Sequence, residues 1–282
     1  MLGGLASLFF CGAALSEDGS DDGSDKPKAA PRFPTTYVDL RTIYSTLPAN
    51  SISVGFGSSL PLATIRQTVT SPSLQGAGVD VPVTIDLSDR ISVYGGISTA
   101  ATQAGTDSWT AVSMNSWNIG IQADIYRQEG GVIPTITVQE TITRSTPDAP
   151  LATTSLNSLI EANYALNEDE TRGVLAGFQY TKVAVDTPLA SVNPNLVGYI
   201  GGYYQWDNNW KLTGRAGVQS FGGARLLNLD PLPSFTEPIL LLDLDRLDDN
   251  DNRLFGVSLQ IAWLPKPSYQ LTLRTPLYLV RN

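Results

Sequence analysis

Short segments in which every second residue is apolar recur along most of this chain, and the residues between them are too polar for a dry core. In 78–87, Val79, Val81, Val83, Ile85 and Leu87 share one phase, while Asp80, Thr84 and Asp86 occupy the other. In 116–127, Trp117, Ile119, Ile121, Ala123 and Ile125 alternate with Asn118, Gln122 and Asp124. In 211–220, Leu212, Gly214, Ala216 and Val218 alternate with Lys211, Thr213, Arg215 and Gln219. Successive side chains of a strand point to opposite faces, so each segment predicts a β-strand with one apolar and one polar face. Carboxylates, guanidinium groups and amides suit the inside of a transmembrane barrel, where lipid lies outside and the lumen is polar. The expected fold is all-β: an antiparallel up-and-down transmembrane β-barrel of about twelve strands.

The candidate strands lie near 51–60, 78–87, 91–100, 115–127, 133–144, 156–166, 172–183, 195–206, 210–221, 236–246, 253–264 and 269–279. Every second connection is a tight polar turn: Ser88-Asp89, Gln128-Glu129-Gly130-Gly131, Glu168-Asp169, Asp207-Asn208-Asn209 and Asp248-Asp249-Asn250-Asp251. The intervening connections, 61–77, 101–114, 145–155, 184–194 and 222–235, are longer and rich in Pro, Gly and Ser. Such residues are what hairpin turns require. Short turns at one end and long loops at the other characterise bacterial outer-membrane barrels, and an even strand number puts both termini on the periplasmic side. The connection Pro265-Lys266-Pro267-Ser268 is short for its place in this alternation. Tyr37–Ser45 also reads as strand-like, and it is assigned here to a periplasmic segment that leads to the bend Leu47-Pro48-Ala49-Asn50. Trp206, Trp210, Trp263, Tyr269, Trp117, Tyr164 and Tyr180 fall toward strand ends, the depth at which aromatic rings meet both lipid and water.

Ahead of the barrel, Leu2–Leu15 is an apolar run too short to span a bilayer as a helix but long enough for a signal-peptide core, with small residues at Ala13, Ala14 and Ser16. The expected organisation is a signal peptide over 1–16, a disordered acidic leader and periplasmic lead-in over 17–50, and the barrel over 51–282. Phe9-Phe10-Cys11 fits a lipid-attachment site poorly.

Composition narrows the chemistry. There is no histidine, and the single cysteine is Cys11, so a Ser-His-Asp arrangement, histidine base chemistry and disulfides are excluded, as are most zinc sites. With 18 Lys and Arg against 27 Asp and Glu, the formal charge of −9 argues against a nucleic-acid partner. Asp243, Asp245, Asp248, Asp249 and Asp251 lack the glycine and closing glutamate of a calcium loop, and they read as a solvated acidic turn. The Asp-Gly-Ser-Asp repeats of the leader read as a solvated linker. Gly55-Phe56-Gly57 lacks the third glycine and following helix of a dinucleotide fingerprint, and Ser220 has no glycine two residues before it. The expectation is a protein that is not an enzyme and uses no cofactor or metal.

The residues expected to line the lumen are Asp86, Tyr94, Asn118, Gln122, Asp124, Glu161, Asn163, Lys211, Arg215, Gln219 and Arg274. They would set pore width and charge preference, with Lys211, Arg215 and Arg274 facing Asp124 and Glu161 across the pore.

Two stretches carry a family resemblance. The run Ser45-Thr46-Leu47-Pro48-Ala49-Asn50-Ser51-Ile52-Ser53-Val54-Gly55-Phe56-Gly57 is similar to the opening of outer-membrane barrels described as meta-pathway phenol degradation transporters. The run from Val83 to Gly96, with its Leu87-Ser88-Asp89-Arg90 turn, resembles a hairpin of the same family. The resemblance implies a barrel of about twelve strands that passes small, hydrophobic or aromatic compounds, and it transfers no site residue.

The chain is thus expected in the bacterial outer membrane as a porin-like channel or facilitated-diffusion transporter, with lipid and small-molecule solutes as its partners. Two alternatives are a closed structural or surface-binding barrel whose outer loops are the working surface, and a soluble exported sandwich with both polar faces in water.

Overall fold

The computed structural model of the chain describes residues 34–49, 51–53, 64–66, 72–146, 152–226, 231, 233–248, 253–263 and 266–281. In chain order its strands are β1 (Thr35–Leu47), β2 (Ser51–Ser53), β3 (Thr64–Arg66), β4 (Leu74–Asp86), β5 (Ile91–Ala104), β6 (Ser113–Tyr126), β7 (Thr135–Ser145) and β8 (Thr153–Ala165). They continue as β9 (Arg172–Val185), β10 (Ala190–Val192), β11 (Asn195–Gln205), β12 (Trp210–Phe221), β13 (Ala224–Leu226), β14 (Phe235–Leu247), β15 (Arg253–Trp263) and β16 (Pro267–Arg281).

Twelve of these strands, all but β2, β3, β10 and β13, close into one barrel, each paired antiparallel with its sequence neighbour in the wall. β1 seals it by pairing with both β16 and β4, in a register that sets Thr35 opposite Arg281 on one side and Asp86 on the other. Closure leaves no unpaired edge, which is what lets strands cross a bilayer without orphaned backbone groups.

The first barrel strand is a correction to the sequence reading. Thr35–Leu47 is not a lead-in but strand β1, so the barrel begins sixteen residues ahead of the expected start at Ser51. Of the expected first strand, Ser51–Ser53 is described and forms β2, which pairs with β3 outside the barrel, while 54–60 lies outside the described residues. The expected signal peptide, and the leader as far as residue 33, also lie outside them.

The two ends of the barrel differ as the turn chemistry requires. At one end sit the start of β1, the end of β16 and the strand ends joined by 87–90, 127–134, 166–171, 206–209 and 248–252. In the Asp207-Asn208-Asn209 turn, Asn209 takes the left-handed backbone (φ 62°), a conformation that asparagine tolerates better than most residues. Trp206 and Trp210 flank this turn, and the Trp206 N–H donates to the Trp210 carbonyl at 2.8 Å. At the other end are 48–73, 105–112, 146–152, 186–194 and 222–234, together with the short 264–266. Strands β10 and β13 pair there and tie two of these loops together, helped by Asn193 Nδ2 donating to the Gly222 carbonyl at 2.7 Å.

The wall has two chemically distinct faces. Ile119, Ile121, Ile142, Ile160, Phe178, Ile200, Val218 and Leu273 are all exposed on the outside, and Ile200 is 71% exposed. Water would penalise such a belt, and lipid would not. Tyr204 and Trp206 meet edge to face at 5.3 Å near the short-turn end, while Trp263 and Tyr269 stand exposed near the loop end. These rings mark both rims of the apolar belt, the placement expected of interfacial aromatics.

Candidate functional site: the inner wall of the barrel

Alternation along each strand delivers the other phase to the inside. All eleven residues expected to line the lumen fall on that inward phase, on the same face as the buried residues of their strands. What the structure adds is their partners, and these divide the wall into two sectors.

The first sector is charged. Arg215, inward on β12, reaches Glu161 through Nε at 3.3 Å and Asp243 through an Nη at 3.0 Å. The Tyr199 hydroxyl, lying over Gly177, donates to the same Glu161 oxygen at 2.6 Å. A Cβ on Gly177 would meet the Tyr199 ring at 2.3 Å, so only glycine leaves room for this contact. Arg274 carries the chain onward, donating to Asp243 and to Ser258, each at 2.6 Å. Asp245 then receives Arg253 Nε at 2.8 Å and lies 3.7 Å from Arg274. Arg41 stands opposite Arg274 in the β1–β16 register and has Asp39 at 3.9 Å. Two arginines directly opposite one another would repel, and the carboxylates around them offset that repulsion. Asp80, opposite Arg41 on β4, accepts from the Ser98 hydroxyl.

The second sector, at mid-wall on β5 to β9, is built of neutral groups, apart from Glu161 of β8, which belongs to the charged chain. Tyr94 lies over Gly120 and bonds Thr141 at 2.6 Å and Gln139. Thr181 donates to Asn157 at 2.9 Å. Asn118 is 8% exposed, and its Oδ1 has no hydrogen-bond partner. Toward the short-turn rim, Asp86 accepts from Ser92 at 2.6 Å, and Asp124 accepts from Thr137 at 2.8 Å and Arg127 at 3.1 Å. Lys211 sits 4.6 Å from the Tyr203 ring centroid.

Two expectations change. Arg215 does not oppose Glu161 across the pore, and Arg274 and Asp124 have other partners. Arg215 holds Glu161 directly, Arg274 holds Asp243, and Asp124 turns to a threonine and an arginine at the rim. Nor are Asp243 and Asp245 part of a solvated turn: they are inward residues of β14, 5% and 7% exposed, alternating with the outward Leu242, Leu244 and Arg246. Asp39, Arg41, Asp80, Glu237, Asp243, Asp245 and Arg253 are inner-wall charges absent from the expected lumen set. The run Leu240-Leu241-Leu242-Asp243-Leu244-Asp245 contains the signal for two of them, because Leu240, Leu242 and Leu244 in one phase leave both aspartates in the other.

Carboxylates outnumber cations inside. Asp39, Asp80, Asp86, Asp124, Glu161, Glu237, Asp243 and Asp245 face Arg41, Lys211, Arg215, Arg253 and Arg274. Among the described residues no group of acidic residues is arranged to hold a metal ion. The middle of the wall is tightly covered, with Arg274 1% and Ser98 0% exposed.

No family profile matches the chain, and no curated protein matches its sequence. Solved structures do. The outer-membrane channel COG4313 of Pseudomonas putida F1 superposes with a TM-score of 0.57 over 90% of this chain and 100% of that one, at 9% identity. The fold is that of a bacterial outer-membrane barrel. The translocator domain of the autotransporter NalP from Neisseria meningitidis gives a TM-score of 0.46 over 88% of this chain and 90% of that one, at 13% identity. A mutant of the monoaromatic hydrocarbon channel TodX gives 0.40 over 88% and 90%, at 10% identity.

Proposed function

We propose that this barrel is a channel through which small molecules cross the outer membrane by facilitated diffusion, without energy coupling, cofactor or catalysis. The observation that carries the reading is a wall whose outside is apolar and whose inside carries most of the buried polar and charged residues, interspersed with apolar ones such as Ile43, Leu159 and Val197. Such a wall builds a path for solutes through lipid. The likeness to a solved outer-membrane channel supports it. So does the absence of histidine, together with the engagement of Glu161, Asp243 and Asp245 in ion pairs rather than poised for acid–base work. The sequence resemblance adds hydrophobic or aromatic compounds to the candidate cargo, and the hydroxyls and amides of the wall favour those that carry polar groups. Export by a signal peptide over 1–16 belongs to the same proposal.

A second reading is a closed barrel whose long loops are the working surface, favoured by the near-complete burial of Arg274 and Ser98 at mid-wall. Single-channel recording of the refolded protein in a planar bilayer separates the two, once folding is verified by heat-modifiable gel mobility. Discrete ohmic steps with a mild cation preference are expected, because inward carboxylates exceed inward cations. Arg215→Gln should shift the reversal potential further toward cations. Silence from a folded barrel would favour the closed reading, and an unmoved reversal potential would remove Arg215 from the path.

A further inference from the structure

One cross-strand pairing row crosses the barrel from end to end. It starts at Asp86, the last residue of β4 before a short turn, and finishes at Glu237, the third residue of β14 after a long loop. Register links it without a break. Asp86 pairs with Ser92, Ser92 with Gln122, and Gln122 with Gln139. The row passes through Leu159 to Gln179, through Val197 to Gln219, and on to Glu237. Strands tilt in a barrel, so a row perpendicular to them climbs as it goes round. The row is therefore a spiral on the inner wall, and its middle is held by the neutral amides Gln122, Gln139, Gln179 and Gln219.

An amide both donates and accepts hydrogen bonds and carries no charge, which matches a hydroxyl in either of its roles. A second observation points to a ligand for these amides. Gln219 is 0% exposed, yet neither its Nε2 nor its Oε1 has a hydrogen-bond partner, and Gln179, 7% exposed, leaves its Nε2 unpartnered. Buried polar atoms are nearly always satisfied, so such exceptions ask for a function. Single unpartnered oxygens also occur elsewhere on the inner wall, at Asn118 and Asn195, but Gln219 leaves both ends of its amide unpartnered. The two amides with unpartnered groups stand two strands apart, about 10 Å by strand spacing.

We propose that the amide spiral is a binding track for a linear, neutral, hydroxyl-rich solute, an oligosaccharide whose successive hydroxyls bond Gln122, Gln139, Gln179 and Gln219 in turn. Asp86 and Glu237 accept hydroxyls at its two ends. Gln219 is covered in this structure, so the solute parts the groups above it as it moves up the track. The track rests on the channel reading for passage of the solute but not for its binding.

Calorimetric titration of the folded full-length barrel in detergent tests it, with glucose and a linear glucose tetrasaccharide as probes. The tetrasaccharide reaches more than one amide and should bind about tenfold tighter than glucose. Gln179→Leu and Gln219→Leu should each weaken it about tenfold, with folding verified by gel mobility and Gln122→Leu replacing a variant that does not fold. A tetrasaccharide that binds no tighter than glucose, or binding unmoved by these substitutions, overturns the track. Conductance of the same preparation keeps the two ideas apart. A conducting barrel that ignores the tetrasaccharide loses the track and keeps the channel, while a silent barrel that binds it keeps the track and loses the channel.

Discussion

The two sectors of the inner wall are both polar and buried, yet they are held by different physics. On β12 to β16 and β1, guanidinium groups share carboxylates in a chain, so that Asp243 serves Arg215, Arg274 and Ser258 together. At mid-wall on β5 to β9, Glu161 apart, the contacts are between uncharged groups, as Thr181 donating to Asn157 shows. A hydrogen bond between neutral groups contributes about 1 kcal/mol net, whereas a buried charge stripped of its partner costs about 3–5 kcal/mol. The charged sector should therefore be the rigid and easily broken half of the wall, and the neutral sector the adaptable half.

Asp243→Asn tests this contrast where its effect is largest. The substitution removes the carboxylate on which Arg215 and the 1%-exposed Arg274 converge. A loss of about 3–5 kcal/mol is expected in urea unfolding from lipid vesicles. Thr181→Ala, the matched change in the neutral sector, should cost about 1 kcal/mol. Equal costs would mean that the division into sectors has no energetic content.

The same contrast explains what could be read from the chain. On β6 and β12 the outward residues are apolar and the inward ones polar, so period-two alternation placed Asn118, Gln122, Asp124, Lys211, Arg215 and Gln219 on the inner face. On β1 the inward phase mixes Asp39 and Arg41 with Ile43 and Leu47, while the outward phase mixes Val38 and Leu40 with Thr42 and Thr46. Neither phase is clean, and the strand passed for a lead-in. Its sheet membership is set by non-local pairing with β16 and β4, which no local pattern encodes. Partner choice is equally non-local. Arg215 and Glu161 are 54 residues apart, and nothing in either segment says that they meet rather than face each other across a pore.

The outer and inner faces of one strand give the next comparison. Ile119 is outward and 55% exposed in the middle of β6, and Gln122 is inward on the same strand. Ile119→Lys puts a cation into the lipid-facing belt and should cost about 2–4 kcal/mol. Gln122→Lys, on a wall with surplus carboxylates, should cost under about 1 kcal/mol, because the new ammonium finds acids nearby. Unfolding of both variants in vesicles checks the order. Its reversal would mean that the face assignment of β6 is wrong.

The smallest effect expected lies at the loop end, outside both sectors. Arg144 grips Asp186 with both terminal nitrogens, one of them at 2.7 Å from Oδ1, and also donates to Thr154 at 2.9 Å. The pair fastens the start of the 186–194 loop to β7 and β8, and through β10 and β13 it touches the 222–234 loop as well. Hydrogen bonding from Arg144 holds the Asp186 carboxyl below the usual carboxylate range. A carboxyl whose value is lowered on folding contributes its stability above the unfolded value and loses it as pH falls through the lowered one. The pair is exposed, so solvent and salt screen it and global stability should barely move. Amide exchange in 186–194 should instead quicken on acidification below the ordinary carboxylate range, and Asp186→Asn should show the quickened rate already at neutral pH. Exchange that is independent of pH across that range, after correction for intrinsic rates, would show that the loop is held by β10–β13 pairing alone and that Arg144 only decorates the rim.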